Sequence, residues 1–119
     1  MPATYRIRWA EAALQDVESI LTYIAAHDDI SAATRAHDKI VLRAASLEAH
    51  PERCRVVPEL AEIGIADYRE LIVAPYRICF RIYDRDVVIV SVLDGRRDLE
   101  QLLIDRALDE VEWRRDDID

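Results

Sequence analysis

The side chains with most chemistry to offer in this chain are arginines. Of its sixteen basic residues only Lys39 is a lysine, and a planar guanidinium is the better group for bidentate pairing with carboxylates and phosphates. Arg69, Arg77, Arg81, Arg96 and Arg97 follow one another in the second half of the chain, with Tyr76 and Tyr83 among them. Arginines interleaved with tyrosines suit the gripping of RNA phosphates and bases, or the meeting of an acidic protein. The structural alternative is that Arg77 and Arg81 pair across strands with Glu70, Asp84 or Asp86. Acid–base chemistry is poorly equipped. His27, His37 and His50 all precede the arginine cluster; His27 and His50 read as helix-end residues, where a cation is favoured by the macrodipole, and His37 as helix surface. Cys54 and Cys79 have no C-x-x-C spacing and no histidines grouped with them, so they read as free thiols, and neither a metal nor any other cofactor is expected. Phosphate-cradling glycine loops, a nucleophile elbow and the zinc-protease helix are all missing from a sequence with two glycines.

These arginines need elements to position them. Residues 4 to 9 alternate Tyr5, Ile7 and Trp9 against Thr4, Arg6 and Arg8, the period of a half-buried strand. From Ala10 the period becomes helical, with Ala13, Leu14, Val17, Leu21 and Ile24 on one stripe. The segment 27–30 breaks that helix, and Ser31 is placed to cap a second one carrying Ala33, Ala36, Ile40, Ala44 and Leu47. So short a connection makes the two helices an antiparallel hairpin. His50 and Pro51 mark its stop, and residues 51–66 read as an irregular crossing segment. Three runs rich in Val, Ile and Tyr follow, 68–74, 77–83 and 87–93, separated by short turns. They form an antiparallel meander whose third run, apolar almost throughout, belongs inside the sheet. A last helix is expected behind Asp98, from Leu99 to about Trp113.

The fold class is therefore α+β: an N-terminal strand, a helical hairpin, a three-stranded meander and a C-terminal helix, with the hairpin laid across the apolar face of the sheet. In the second run Ile78, Phe80 and Ile82 share one face while Arg77, Cys79, Arg81 and Tyr83 share the other, and this arginine-bearing face is expected to stay partly open to a partner. The 119 residues suit one domain, 1–119. A composition 51% hydrophobic and 34% charged is that of a globular chain. No charge-free stretch is long enough to span a bilayer, and residues 1 to 9 lack a signal peptide's features, so a cytoplasmic location is expected. The formal charge of -8 is concentrated at the end of the chain, where residues 98–119 carry three basic side chains against nine acidic ones. Such a tail disfavours approach to RNA, and sequence-specific DNA binding by this chain alone is not expected.

Read in order, Ala12-Ala13-Leu14-Gln15-Asp16-Val17 to Tyr23-Ile24, then Pro51, Arg55 and Pro58-Glu59, then Tyr68-Arg69-Glu70-Leu71, Pro75-Tyr76-Arg77-Ile78-Cys79-Phe80-Arg81-Ile82 and Val92-Leu93-Asp94-Gly95-Arg96-Arg97-Asp98 resemble the RelE/ParE toxin superfamily, and its ParE branch more closely. The resemblance covers nearly the whole chain. It implies a toxin of a type II toxin–antitoxin module that inhibits DNA gyrase and is neutralised by a cognate antitoxin in a hetero-oligomer. Two positions depart from the pattern: Cys54 stands where such sequences often have glycine, and Asp94 where a histidine is common. RelE-like relatives cut messenger RNA on the ribosome with basic residues, commonly helped by a tyrosine or histidine near the C-terminus. Arg77 and Arg96 or Arg97 match that family's arginines, yet residues 94–119 contain no histidine, tyrosine or lysine. The resemblance thus implies a non-enzymatic toxin first, an mRNA endonuclease second, and an inactive antitoxin-binding module third. In either binding case a partner is expected to add an apolar helix or strand, with acidic side chains meeting Arg69, Arg77 or Arg81.

Overall fold

The computed structural model describes residues 4–95; Arg96, Arg97 and the expected C-terminal helix lie outside them. β1 (Arg6–Trp9) leads into α1 (Glu11–His27) and α2 (Ile30–Ala45). Glu11 in the first turn of α1 and His27 in its last suit the helix dipole at either end. The cap of α2 is Asp29, not Ser31: its carboxylate accepts a hydrogen bond from the Ala32 amide at 2.7 Å. Asp29 has the extended backbone that a cap requires, whereas Ser31 already lies within the helix.

The segment expected to be irregular contains order on a small scale. Two 3₁₀ turns, Ser46–Glu48 and Pro51–Arg53, precede β2 (Arg55–Val56) and the single-turn α3 (Pro58–Ala61). The meander follows as β3 (Tyr68–Val73), β4 (Tyr76–Tyr83) and β5 (Asp86–Asp94). One sheet results, in the order β1-β5-β4-β3-β2, antiparallel throughout except for the parallel pairing of β1 with β5. β5 is flanked on both sides and buried on both faces, as its continuous apolar run requires. A bulge interrupts its pairing with β4: Cys79 faces Ser91 and Phe80 faces Ile89, leaving Val90 as the extra residue. The alternation resets there, so that Val87, Ile89 and Val92 all reach the same core.

That core lies between the sheet and the hairpin, where Ala13 and Val17 of α1 and Ile40 and Ala44 of α2 meet Leu71, Val73, Ile78 and Phe80. Two alanines at the contact let the helices lie close to the strands and to each other. A polar contact joins the layers as well: Asp16 of α1 accepts a hydrogen bond from the Val92 amide at 3.0 Å. The opposite face of the sheet is not bare. Val57 and Leu60 from the crossing segment pack with Tyr68, Cys79, Val88, Val90 and Leu93 into a second apolar cluster. Among the described residues no helix is long and apolar enough to cross a membrane.

Candidate functional site

The alternation along β4 places Arg77, Cys79 and Arg81 on the face away from the hairpin, as read from the sequence. The expectation that this face stays open is corrected at its two arginines. Arg77 is 9% exposed, and all three guanidinium nitrogens are engaged. Its Nη1 and Nη2 donate to the two carboxylate oxygens of Glu59 at 2.7 and 2.8 Å, and Nε donates to Glu70 Oε1 at 2.6 Å. The fork-to-fork pairing with Glu59 ties α3 down onto the sheet. Glu70, across the strand from Cys79, is itself fully buried and takes a second cation, Arg55 Nε, at 2.5 Å. Two arginines and two glutamates thus form a neutral chain across β2, β3, β4 and α3. The hydrogen bonds from Arg77, above all, hold the Glu59 carboxyl below its ordinary range. The Arg77 guanidinium is raised in turn, first by Glu59 and then by Glu70, with burial working the other way.

Arg81 is taken up differently. Its Nη2 lies 3.0 Å from Asp67, and the guanidinium carbon sits 5.4 Å from the Tyr68 ring centre and 5.0 Å from that of Tyr83, a cation held between two aromatic faces. Of the structural partners read from the sequence, Glu70 does hold Arg77, while Asp86 is bound instead by Arg6 and Arg8 of β1 at 2.8 and 3.3 Å. Arg6 in particular holds the Asp86 carboxyl low.

The remaining candidates separate from these two. Arg69 pairs with Phe80 and so belongs to the hairpin side of the sheet, where its Nη1 donates to the Cys54 carbonyl at 2.6 Å. Tyr76 packs against the hairpin-side core and Tyr83 against the opposite cluster. The seven sequence candidates therefore do not converge on one cleft: Arg77, Arg81 and Tyr83 share one face, Arg69 and Tyr76 the other, and Arg96 and Arg97 lie outside the described residues. The two thiols are unpaired and buried. Burial pushes Cys79 up to about 12, which leaves it no nucleophilic role near neutral pH. No group of three or more His, Cys, Asp or Glu side chains that could hold a metal occurs among the described residues.

Sequence reasoning missed Glu59 as the clamp on Arg77. The signal was present, since a proline followed by glutamate is the composition of a helix's first turn. It also missed a second group of cations. Lys39 and Arg43 are one helical turn apart on α2, Arg53 lies in the second 3₁₀ turn, and with Arg69 they line the edge of the sheet beside Cys54 and Ala74. Lys39 Nζ donates to the Ala74 carbonyl at 2.9 Å and Arg53 Nη1 to the Ala49 carbonyl at 2.8 Å. The thiol of Cys54 is raised first by burial, with Arg53, Arg69 and Arg43 working the other way and Glu52 adding to the rise.

The model of the family described as ParE toxin of type II toxin-antitoxin system, parDE, matches residues 7–99. A solved structure titled "Chromosomal ParDE TA system from P. aeruginosa" contains a chain of similar fold, with a TM-score of 0.65 and 17% sequence identity, covering 76% of this chain and 96% of that one. No curated protein compared with the chain matches it.

Proposed function

The chain belongs to the ParE toxin family of type II toxin–antitoxin systems, and from that premise we propose that it acts by occupying DNA gyrase, as a non-enzymatic poison held inactive in a hetero-oligomer with a cognate antitoxin. On this reading residues 1–119 form one toxin domain working in the cytoplasm, and the module stabilises the replicon that encodes it.

The observation that favours occupation over RNA cleavage is the state of Arg77. A nuclease of this architecture needs guanidinium groups free to meet the charge that develops on a phosphate. Here Arg77 is 9% exposed and spends its donors on two carboxylates. Withdrawing it from Glu70, whose side chain is fully buried, leaves that carboxylate to Arg55 alone, a cation whose side chain is largely exposed. The lack of a histidine, tyrosine or lysine in residues 94–119 points the same way.

The test is supercoiling of relaxed plasmid by gyrase and ATP, with the purified chain titrated in. Supercoiling is expected to fall as the chain approaches the concentration of gyrase. Undiminished supercoiling at excess chain, together with cleavage of messenger RNA in a translating extract, would replace this reading with the endonuclease one.

A further inference from the structure

The turn between β4 and β5 meets the two 3₁₀ turns beside the residues that lead into β1, and a cleft of about 240 Å³ opens among them. Thr4 and Tyr5 precede β1, Glu48, His50 and Glu52 belong to the 3₁₀ region, and Arg85 lies in the β4–β5 turn. Backbone hydrogen bonds fasten the three segments together. The Tyr5 amide donates to the Glu48 carbonyl at 3.0 Å, and the Arg6 amide to the Arg85 carbonyl at 2.7 Å. Between the two 3₁₀ turns His50 takes the left-handed backbone, with φ at 51°, and the residues on either side of it, Glu48 and Glu52, both reach the cleft.

The lining carries both signs of charge, and the two are kept apart. The Arg85 guanidinium carbon lies 5.1 Å from the centre of the Tyr5 ring. Among the described residues no carboxylate pairs with Arg85, although Glu48 and Glu52 line the same cleft. Its neighbour Asp86 is taken by Arg6 and Arg8. Glu52 lies 3.6 Å from His50 Nδ1. Its carboxyl is held below the ordinary range first by its own backbone amide and then, against burial, by the Tyr5 hydroxyl and His50. One tyrosine thus has a cation against its ring and a carboxylate at its hydroxyl.

Such a cleft discriminates by charge at two points. A simple anion drawn to Arg85 also meets Glu48 and Glu52, and a simple cation drawn to the carboxylates also meets Arg85. A molecule bearing both charges a few bonds apart satisfies both ends at once. The volume sets the size, since drug-sized ligands occupy clefts of about 300–1,000 Å³, and this one is smaller. We propose that the cleft binds a free α-amino acid as the zwitterion, its carboxylate on the Arg85 guanidinium and its ammonium on Glu52 and Glu48. A guanidinium is a planar fork matched to a carboxylate, and two carboxylates share the donors of the ammonium. The cleft shares no residue with the Arg77 network, and its occupancy can be read without gyrase.

The test titrates the full ¹⁵N-labelled chain near neutral pH with alanine, serine and leucine, and with propionate and ethylamine, each of which keeps one of alanine's two charges. Saturable shifts of the Tyr5, His50 and Arg85 amides are expected with the amino acids, in the millimolar range, and binding at least about tenfold weaker for each single-charge analogue. Arg85→Gln and Glu52→Gln, both at exposed positions, are each expected to weaken amino-acid binding by about tenfold with the rest of the spectrum unchanged. The proposal is overturned if propionate or ethylamine binds as tightly as alanine, if none of the three amino acids saturates, or if either variant binds like the parent.

Discussion

Replacing Arg77 by methionine separates a structural arginine from one kept for phosphate chemistry. Methionine preserves much of the stem and removes the guanidinium that joins Glu59 to Glu70. Glu70 is then left fully buried with Arg55 alone, a cation whose side chain is 62% exposed. Removing one partner of a buried pair costs about 3–5 kcal/mol. The Glu59 half of the network, with a more exposed carboxylate, accounts for about 1 kcal/mol of it. Glu59→Gln keeps hydrogen bonding to Arg77 while deleting a charge, and is expected to cost about 1 kcal/mol. Arg77→Met with Glu70→Leu removes both buried charges and is expected to regain most of what the single variant loses. Urea denaturation reads the series: the midpoint falls strongly for Arg77→Met, slightly for Glu59→Gln, and recovers in the double variant, with m unchanged. A midpoint for Arg77→Met within about 0.5 kcal/mol of the parent would refute the reasoning, because a guanidinium that can be deleted so cheaply is not holding the sheet and is free for other chemistry.

Two further outcomes follow from the same contacts. The folded-state pKa of Glu59 lies below its unfolded value, so the stability it contributes is complete above the ordinary carboxylate range and is lost as pH falls through the depressed value. The Tm difference between the parent and Glu59→Gln is therefore expected to be widest near neutral pH and to close below about pH 4; a difference independent of pH would contradict it. Asp29→Ala removes the cap of α2 and should cost about 1 kcal/mol in denaturant melts, while Ser31→Ala should change stability by less than about 0.5 kcal/mol. The reverse ranking would restore Ser31 as the cap.

Legibility in the sequence followed the length of the pattern. The seventeen residues of α1 and the alternation of β4 repeat often enough to declare their periods, and the order β1, α1, α2, β3, β4, β5 was readable for that reason. β2 and α3 are too short for any period to show, yet they decide the fate of the candidate site. α3 carries Glu59 to Arg77, and β2 carries Arg55 to Glu70. The bulge at Val90 was hidden for a different reason. In a strand buried on both faces nearly every position is apolar, Ser91 being the exception among the buried residues of β5, so the sequence holds too little contrast from which a change of phase can be read. Arg69 was grouped with Arg77 by proximity along the chain, although strand pairing puts the two on opposite faces.

The hydrogen bond from the Val92 amide to Asp16 has a bearing on how any binding partner meets the hairpin. Greasy surfaces by themselves allow a helix to slip along a sheet by small increments, since many nearly equivalent seatings exclude water equally well. A carboxylate that must find one particular amide admits a single seating, much as a detent fixes a sliding bolt. The outward relief of α1 and α2 is thereby set before any encounter, and a protein that docks there meets a ready-made contour and does not have to mould one.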